Sequence, residues 1–224
     1  MSGAATESRA AILATLRKGV AAAPFAVPAP PARPASVSVT DSVSGDAWER
    51  LAAVLAPLEV RLRMAGTRAE AAKHVADIAR ERHASTYTRW DTALDGLGLD
   101  EALSSLTRLA PGCCQELAQA DLGLALAHGA LIESGSMVLV AAPGQHRAAS
   151  LLPPASVILV PRRALLPDVS YLPALLVRHS VNGKLPACLN LITGPSSTAD
   201  IELVLVRGVH GPGVLDLVGL DWDD

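Results

Sequence analysis

Three polar segments interrupt the apolar second half of this 224-residue chain, and each has residue types that could do chemistry. The first, residues 129–136, reads Gly-Ala-Leu-Ile-Glu-Ser-Gly-Ser and places Glu133 between two apolar runs. A buried carboxylate is costly unless it is paired or hydrogen-bonded, so Glu133 needs a partner, a ligand or solvent. We interpret Glu133 as a candidate catalytic general base; the alternative is an exposed turn residue before Gly135.

The second segment, residues 191–202, combines an apolar strand with a turn rich in small and hydroxyl residues. Small residues let the backbone approach a ligand, and hydroxyls with free amides can hold an anion. The segment is therefore a candidate binding site for a small anion such as a carboxylate, whose charge Arg147 could neutralise. The candidate ligand-binding residues of this segment are Thr193, Gly194, Ser196, Thr198 and Asp200. The alternative is a helix N-cap in which Ser197 or Thr198 pairs with a following acidic residue.

The third segment, residues 208–213, reads Gly-Val-His-Gly-Pro-Gly and surrounds His210 with residues that form turns. Histidine is the side chain best suited to proton transfer near neutral pH, so His210 is the second candidate catalytic residue. The alternative is a structural histidine in a turn. No spacing of His, Cys, Asp or Glu matches a known metal motif, and we predict no metal site. No P-loop or Gly-x-Gly-x-x-Gly pattern is present either.

Hydrophobic periodicity places these segments in an α/β domain. Apolar and polar residues alternate over 60–64, which indicates a strand, and Thr67 begins an amphipathic helix that leads to a second strand at 84–90. A strand–helix–strand unit predicts a parallel sheet. Further apolar runs predict strands at 121–126, 136–141, 156–160, 189–193 and 214–220. We expect a largely parallel or mixed sheet sandwiched by helices, with ligands beyond the carboxyl ends of its strands.

The first 40 residues differ from this domain. An amphipathic helix is predicted from about Glu7 to Lys18, and five prolines between residues 24 and 34 predict an extended linker. We therefore divide the chain into an N-terminal helix with its linker at 1–40 and an α/β domain at 41–224. The helix could dock on a neighbouring subunit of a homo-oligomer, or it could fold back or fray.

Composition excludes several classes of function. The formal net charge is -3, whereas binding to the phosphates of nucleic acid needs positive charge. Six aromatic residues are too few for a base-stacking surface. No apolar run reaches the length of about 18 residues that a membrane helix needs. The three cysteines, Cys113, Cys114 and Cys188, match neither a disulfide framework nor a cluster motif. We expect a cytoplasmic protein that holds no cofactor of its own.

Five sequence strings occur together in this order. They are Ala-Asp-Leu-Gly at 120–123, Ile-Glu-Ser-Gly-Ser-Met-Val-Leu at 132–139, Leu-Leu-Pro-Pro at 151–154, Ile-Thr-Gly-Pro-Ser-Ser-Thr-Ala-Asp-Ile-Glu at 192–202, and Gly-Val-His-Gly-Pro at 208–212. This pattern resembles the lactate utilization protein C family, the short members of the LUD domain group. The resemblance extends from about Asp41 to the C-terminus and is strongest from 120 to 220.

The resemblance implies a fold of the NagB/RpiA/CoA-transferase-like group and a role in oxidising L-lactate to pyruvate within a three-component system. One partner in such systems resembles an iron-sulfur oxidoreductase subunit, and another joins a LUD domain to ferredoxin-like cluster motifs. This sequence has no cysteine runs of that kind, so we expect an accessory or substrate-handling subunit whose iron-sulfur partners carry the redox centres. Two alternatives stay open: a stand-alone enzyme acting on a phosphorylated or CoA-linked small molecule, and a structural adaptor.

Overall fold

A computed structural model describes residues 11–18, 46–90, 92–110, 114–143, 145–199 and 205–222. The chain divides into two units, residues 1–35 and 36–224. In the first unit, residues 11–18 form helix α1. The beginning of the predicted N-terminal helix and the proline-rich linker lie outside the described residues.

The larger unit alternates strands and helices. Its described strands are β1 (Arg61–Ala65), β2 (Thr86–Arg89), β3 (Thr107–Arg108), β4 (Leu122–Leu126), β5 (Gly129–Leu131), β6 (Ser136–Val140), β7 (Ala155–Pro161), β8 (Leu165–Leu166), β9 (Leu189–Ile192), β10 (Ser197–Ala199), β11 (Leu205–Arg207) and β12 (Val214–Leu220). Its described helices are α2 (Ala47–Leu55), α3 (Arg68–Glu81), α4 (Leu99–Ala102), α5 (Cys114–Leu117), α6 (Ala148–Leu151) and α7 (Leu172–Arg178).

Six strands form one sheet in the order β1-β12-β7-β4-β2-β3. Every pairing in this sheet is parallel. The central strand β7 is buried along its whole length, as its apolar sequence requires for a strand covered on both faces. The predicted α/β class with a largely parallel sheet is confirmed. A separate four-stranded sheet, β8-β5-β6-β9, is mixed: β6 pairs antiparallel with both β5 and β9, and β5 pairs parallel with β8.

Helix α3 forms where the sequence predicted it. The Thr67 side chain accepts a hydrogen bond from the backbone N–H of Glu70 and so caps the first turn. Alanine and β-branched residues at helical spacing, Ala71, Val75 and Ile78, face the sheet and are fully buried. The helix packs on β1 and β12, while the short helix α6 packs on β4 and β7.

Two apolar clusters stabilise this unit. The large one joins the six-stranded sheet, the buried faces of α2 and α3, and one face of the four-stranded sheet through Met137 and Leu139. Side chains alternate along β6, so Val138 points to the other face. There it packs with Leu131, Leu166 and Leu175 in a small second cluster that holds α7.

Residues 197–199 form strand β10, which pairs antiparallel with β11 through Ser197–Arg207 and Thr198–Val206. The alternative interpretation of this segment as a helix N-cap is therefore wrong. The residue that follows each predicted cap, Thr198 or Ala199, would begin the first turn of the helix, but it lies in a strand. Across the described residues, no helix is long and apolar enough to cross a membrane.

Candidate functional site

Two of the three polar segments meet around a small cavity, which we call the hydroxyl pocket. Strand β9 ends at Ile192 and leads into Thr193 and the Gly194 turn, while His210 comes from the loop before β12. The cavity volume is about 180 Å³, which is room for roughly six water molecules. Its lining residues are Ser150, Leu151, Ser156, Leu191, Ile192, Thr193, Gly194, Ser196, His210, Gly211, Pro212 and Leu215.

Backbone hydrogen bonds fix the two loops of the pocket to each other. The N–H of Ser196 donates to the carbonyl oxygen of Pro212 at 2.8 Å, and the N–H of Gly208 donates to the carbonyl oxygen of Ser196 at 2.9 Å. Gly194 has a φ of +98° and Gly208 a φ of +79°, values that glycine adopts without strain. These glycines therefore let the two loops turn sharply enough to bring Ser196 and His210 to one cavity.

Ser156 is the most unusual group in the pocket. It lies near the start of β7, is only 1% exposed, and its Oγ has no hydrogen-bond partner among the described residues. A buried hydroxyl without a partner costs roughly 1–3 kcal/mol. By contrast, the equally buried Ser150 donates its hydroxyl to the carbonyl oxygen of Arg147 at 3.1 Å. The unsatisfied Ser156 hydroxyl is thus available to a ligand in the cavity.

A row of hydroxyls connects the pocket with the β5–β6 turn. The Oγ of Ser136 lies 2.6 Å from the Oγ1 of Thr193 and 2.8 Å from the Oγ of Ser134. Glu133 precedes this row, and its backbone N–H donates to the carbonyl oxygen of Pro167. The Glu133 side chain is exposed and does not line the pocket.

The structure brings together four of the predicted site residues: Thr193, Gly194, Ser196 and His210. Arg147 lies outside the lining, where its Nη1 donates to the Sγ of Cys188 at 3.4 Å. Thr198 lies on β10, also outside the lining. Asp200 lies outside the described residues.

Sequence analysis missed two hydroxyl residues of the pocket, Ser150 and Ser156. The signal for Ser156 was present, because it is the one polar residue of the run Ala-Ser-Val-Ile-Leu-Val at 155–160. A polar residue inside a strand buried on both faces needs a specific partner or a ligand.

The position of the pocket differs from the predicted one. Ser156 and Leu215 are both the second residue of their strands, so the pocket lies at the amino ends of β7 and β12. The expectation of a site beyond the carboxyl ends of the parallel strands does not hold for it. The physical reason is that β9 belongs to the four-stranded sheet, which carries the Thr193 turn to the opposite edge.

No metal centre is evident in the part of the chain that the structure describes, where no three His, Cys, Asp or Glu side chains are placed to hold an ion. Serine, threonine and histidine groups with apolar walls suit a small polar ligand instead. Hydroxyl donors can bind a carboxylate, and an imidazole at the rim can exchange a proton with it.

Comparison with known proteins places this architecture in a family. Residues 49–218, which include the hydroxyl pocket, the four-stranded sheet and all but the last two residues of the six-stranded sheet, match the LUD domain. The chain belongs to the LUD domain family. The resemblance that the sequence strings carried is thereby confirmed.

This LUD domain has relatives among named bacterial proteins. Lactate utilization protein C of Halalkalibacterium halodurans is 44% identical over 95 residues, which are 42% of this chain and 41% of that protein. Lactate utilization protein C of Bacillus subtilis is 40% identical over 95 residues, 42% of this chain and 40% of that protein. The uncharacterized protein YkgG of Escherichia coli is 40% identical over 130 residues, 54% of this chain and 56% of that protein. The matched stretches thus span between 40% and 56% of these relatives' lengths.

A solved structure shares the fold of this LUD domain. The crystal structure of a DUF162 family protein from Deinococcus radiodurans superimposes with a TM-score of 0.57 at 18% sequence identity. The match covers 83% of this chain and 99% of that one. At this identity the likeness shows the fold alone.

Proposed function

We propose that this LUD domain takes part in L-lactate utilization by binding the small hydroxy acid in the hydroxyl pocket. The unsatisfied, buried hydroxyl of Ser156 carries the proposal, because it marks the cavity as a place where a polar ligand completes the structure. The names of the relatives favour lactate as the substrate class. The volume of about 180 Å³ is also large enough for a three-carbon hydroxy acid.

In this proposal the hydroxyls of Ser156 and Thr193 donate hydrogen bonds to the carboxylate of lactate, and Leu191 and Leu215 contact its methyl group. A hydrogen bond to a charged group contributes about 1.5–3 kcal/mol, so two such bonds hold a small anion firmly. The exposed imidazole of His210 lies at the rim of the pocket, where solvent can carry a proton away.

Oxidation of L-lactate to pyruvate removes two electrons and two protons. We assign the redox step to iron-sulfur partner subunits, whose clusters take the two electrons one at a time, while the carbon-bound hydrogen leaves as a proton to solvent. His210 accepts the proton of the lactate hydroxyl. The Glu133 side chain is exposed and outside the pocket lining, so we assign it no contact with the substrate.

The test is lactate-dependent dye reduction by the candidate iron-sulfur partner subunits, with and without this chain. We expect activity to need the chain. In the assembled system, Ser156→Ala should raise the half-saturating lactate concentration at least tenfold, and His210→Gln should lower kcat by a hundredfold or more. Ser197→Ala is the matched control, since the Ser197 hydroxyl is exposed and donates to the carbonyl oxygen of Pro195.

The other outcomes overturn the proposal in distinguishable ways. Partners that run at full rate without the chain would favour a stand-alone enzyme. If activity needs the chain but neither Ser156→Ala nor His210→Gln changes it, a structural adaptor is favoured. Calorimetric titration of lactate into the full chain separates binding from turnover in either case.

A further inference from the structure

Three hydroxyl side chains, which we call the hydroxyl row, lead from the mouth of the hydroxyl pocket to the surface of the β5–β6 turn. Thr193 lines the pocket, Ser136 is the first residue of β6, and Ser134 lies in the turn before it. The Oγ of Ser136 lies 2.6 Å from the Oγ1 of Thr193 and 2.8 Å from the Oγ of Ser134. Thr193 and Ser134 are exposed, whereas Ser136 is only 5% exposed. Solvent therefore reaches both ends of the row but hardly its centre.

Backbone structure fixes the distances within the row. Met137 is opposite Ile192 in the antiparallel pair of β6 and β9, so the residues one position further, Ser136 and Thr193, also face each other. On the other side, the N–H of Gly135 donates to the carbonyl oxygen of Leu131 at 2.9 Å and closes the turn that carries Ser134. Strand pairing and a closed turn therefore hold the three hydroxyls in line.

Hydrogen counting limits how the row can be arranged. Each hydroxyl has one hydrogen, and a buried hydrogen without an acceptor is costly, so Ser136 donates to one neighbour and accepts from the other. If Ser136 donates to Ser134, the hydrogen of Thr193 is used within the row and Thr193 presents only lone pairs to the pocket. If Ser136 donates to Thr193, the hydrogen of Thr193 can reach a ligand. An ionised carboxylate only accepts hydrogen bonds, so it binds the second arrangement.

The second arrangement favours negative charge in the pocket. All three O–H groups then point from the surface toward the ligand. A hydroxyl that accepts a hydrogen bond becomes a stronger donor, because hydrogen bonds in a chain polarise one another. Hydrogen bonds to a charged acceptor are also stronger than those to a neutral one. The aligned row therefore stabilises an anion more than a neutral ligand of the same shape.

We propose that Ser136 is a positioning residue, which holds the Thr193 hydroxyl as a donor and makes the pocket select small 2-hydroxy acids in their ionised form over neutral analogues. The inference rests on the proposed function, since it takes Thr193 as one of two donors to the carboxylate of lactate. Ser156, the other donor, acts without the row, because its Oγ has no hydrogen-bond partner among the described residues. Loss of Ser136 therefore weakens one of the two hydrogen bonds and leaves the other.

The test is calorimetric titration of the full chain with L-lactate in one arm and L-lactamide, its neutral amide, in the other. We expect the parent protein to bind lactate at least tenfold more tightly than lactamide. Ser136→Ala should weaken lactate binding about tenfold and lactamide binding about threefold or less. Ser136→Cys is close in size but has a weak donor, so it should also lose most of the preference for lactate. Ser197→Ala, which removes an exposed hydroxyl outside the row, should leave both affinities unchanged.

The ratio of the two affinities separates positioning from packing, because a merely structural role of Ser136 would lower both affinities alike. Urea midpoints show which variants are folded, and Ser136→Cys carries the same test where Ser136→Ala does not fold. An unchanged ratio in a folded Ser136 variant would overturn the inference. If Ser156→Ala weakens lactate binding and the Ser136 variants do not, this inference alone fails. A parent protein that does not bind lactate would overturn the proposed function together with it.

Discussion

Surroundings set the protonation state of His128. Burial and, next, the nearby His179 lower the pKa of this imidazole from 6.5 to about 4, while a hydrogen bond with the Gln145 side chain acts in the opposite direction. Between these pH values the unfolded chain binds a proton that the folded protein does not. The free energy of unfolding therefore falls as the pH is lowered from 6.5 to 4. Above pH 6.5 His128 is neutral in both states and no longer lowers the free energy of unfolding. The largest loss of unfolding free energy that His128 can cause is about 3 kcal/mol.

We predict that His128→Asn flattens this pH dependence. The Oδ1 of asparagine can take the place of Nδ1 as the acceptor for the N–H of Val140, so the variant removes titration and keeps the hydrogen bond. Urea unfolding at pH 7 and pH 5 measures the slope for both proteins. His83→Asn serves as the control, because His83 is exposed and has a φ of +53°, which asparagine tolerates. Equal slopes in His128→Asn and the parent would contradict the prediction.

Asp216 is a buried charge that two arginines hold in place. It is 1% exposed on β12, and its carboxylate accepts hydrogen bonds from Arg61 Nε at 2.8 Å and Arg82 Nη2 at 2.9 Å. Asp216→Asn leaves two guanidinium groups facing a neutral side chain, and we expect it to lower the free energy of unfolding by about 3 kcal/mol. Glu81→Gln breaks exposed ion pairs with Arg61 and Arg63 and should cost at most about 1 kcal/mol. Urea midpoints of both variants provide the comparison.

At the scale of elements, a close approach between β4 and α6 shapes the hydroxyl pocket. A Cβ at Gly123 would lie 1.8 Å from the carbonyl oxygen of Ala149, so a side chain there must displace α6. That helix supplies Ser150 and Leu151 to the pocket. We expect Gly123→Ala to lower the free energy of unfolding by about 3 kcal/mol and to weaken lactate binding in calorimetry. Gly66→Ala, whose Cβ would lie no closer than 3.5 Å to its neighbours, should stay within about 0.5 kcal/mol of the parent.

Periodicity was sufficient to predict the elements with long patterns and insufficient for the short ones. The strands β1, β7 and β12 and the helix α3 with its Thr67 cap follow directly from apolar spacing. The two- and three-residue strands β8 and β5 are too short to show a period, so the four-stranded sheet was not foreseen. That sheet decides where Thr193 lies, which is why the end of the parallel strands at which the pocket lies was not predicted.

A cavity lined by His128, Arg163 and His179 shows the same limit more sharply. His128, Arg163 and His179 are separated by long stretches of sequence, and no local motif connects them. Only the order of strands in the sheet brings them to one edge. A site of this kind cannot be predicted from residue spacing, whereas Thr193, Gly194 and Ser196 share one turn and stand out as a string.

At the scale of the whole molecule, the two apolar clusters predict unequal local stability. Strand β7 is buried throughout and belongs to the large cluster, but α7 contributes only Leu175 to the buried part of the small one, and its Val177 is 68% exposed. Segments with few buried contacts open at a lower free energy than the core. In hydrogen exchange at pH 7, the amides of α7 should therefore exchange well before those of β7. Equal exchange rates across α7 and β7 would contradict this prediction and would mean that α7 opens only together with the core.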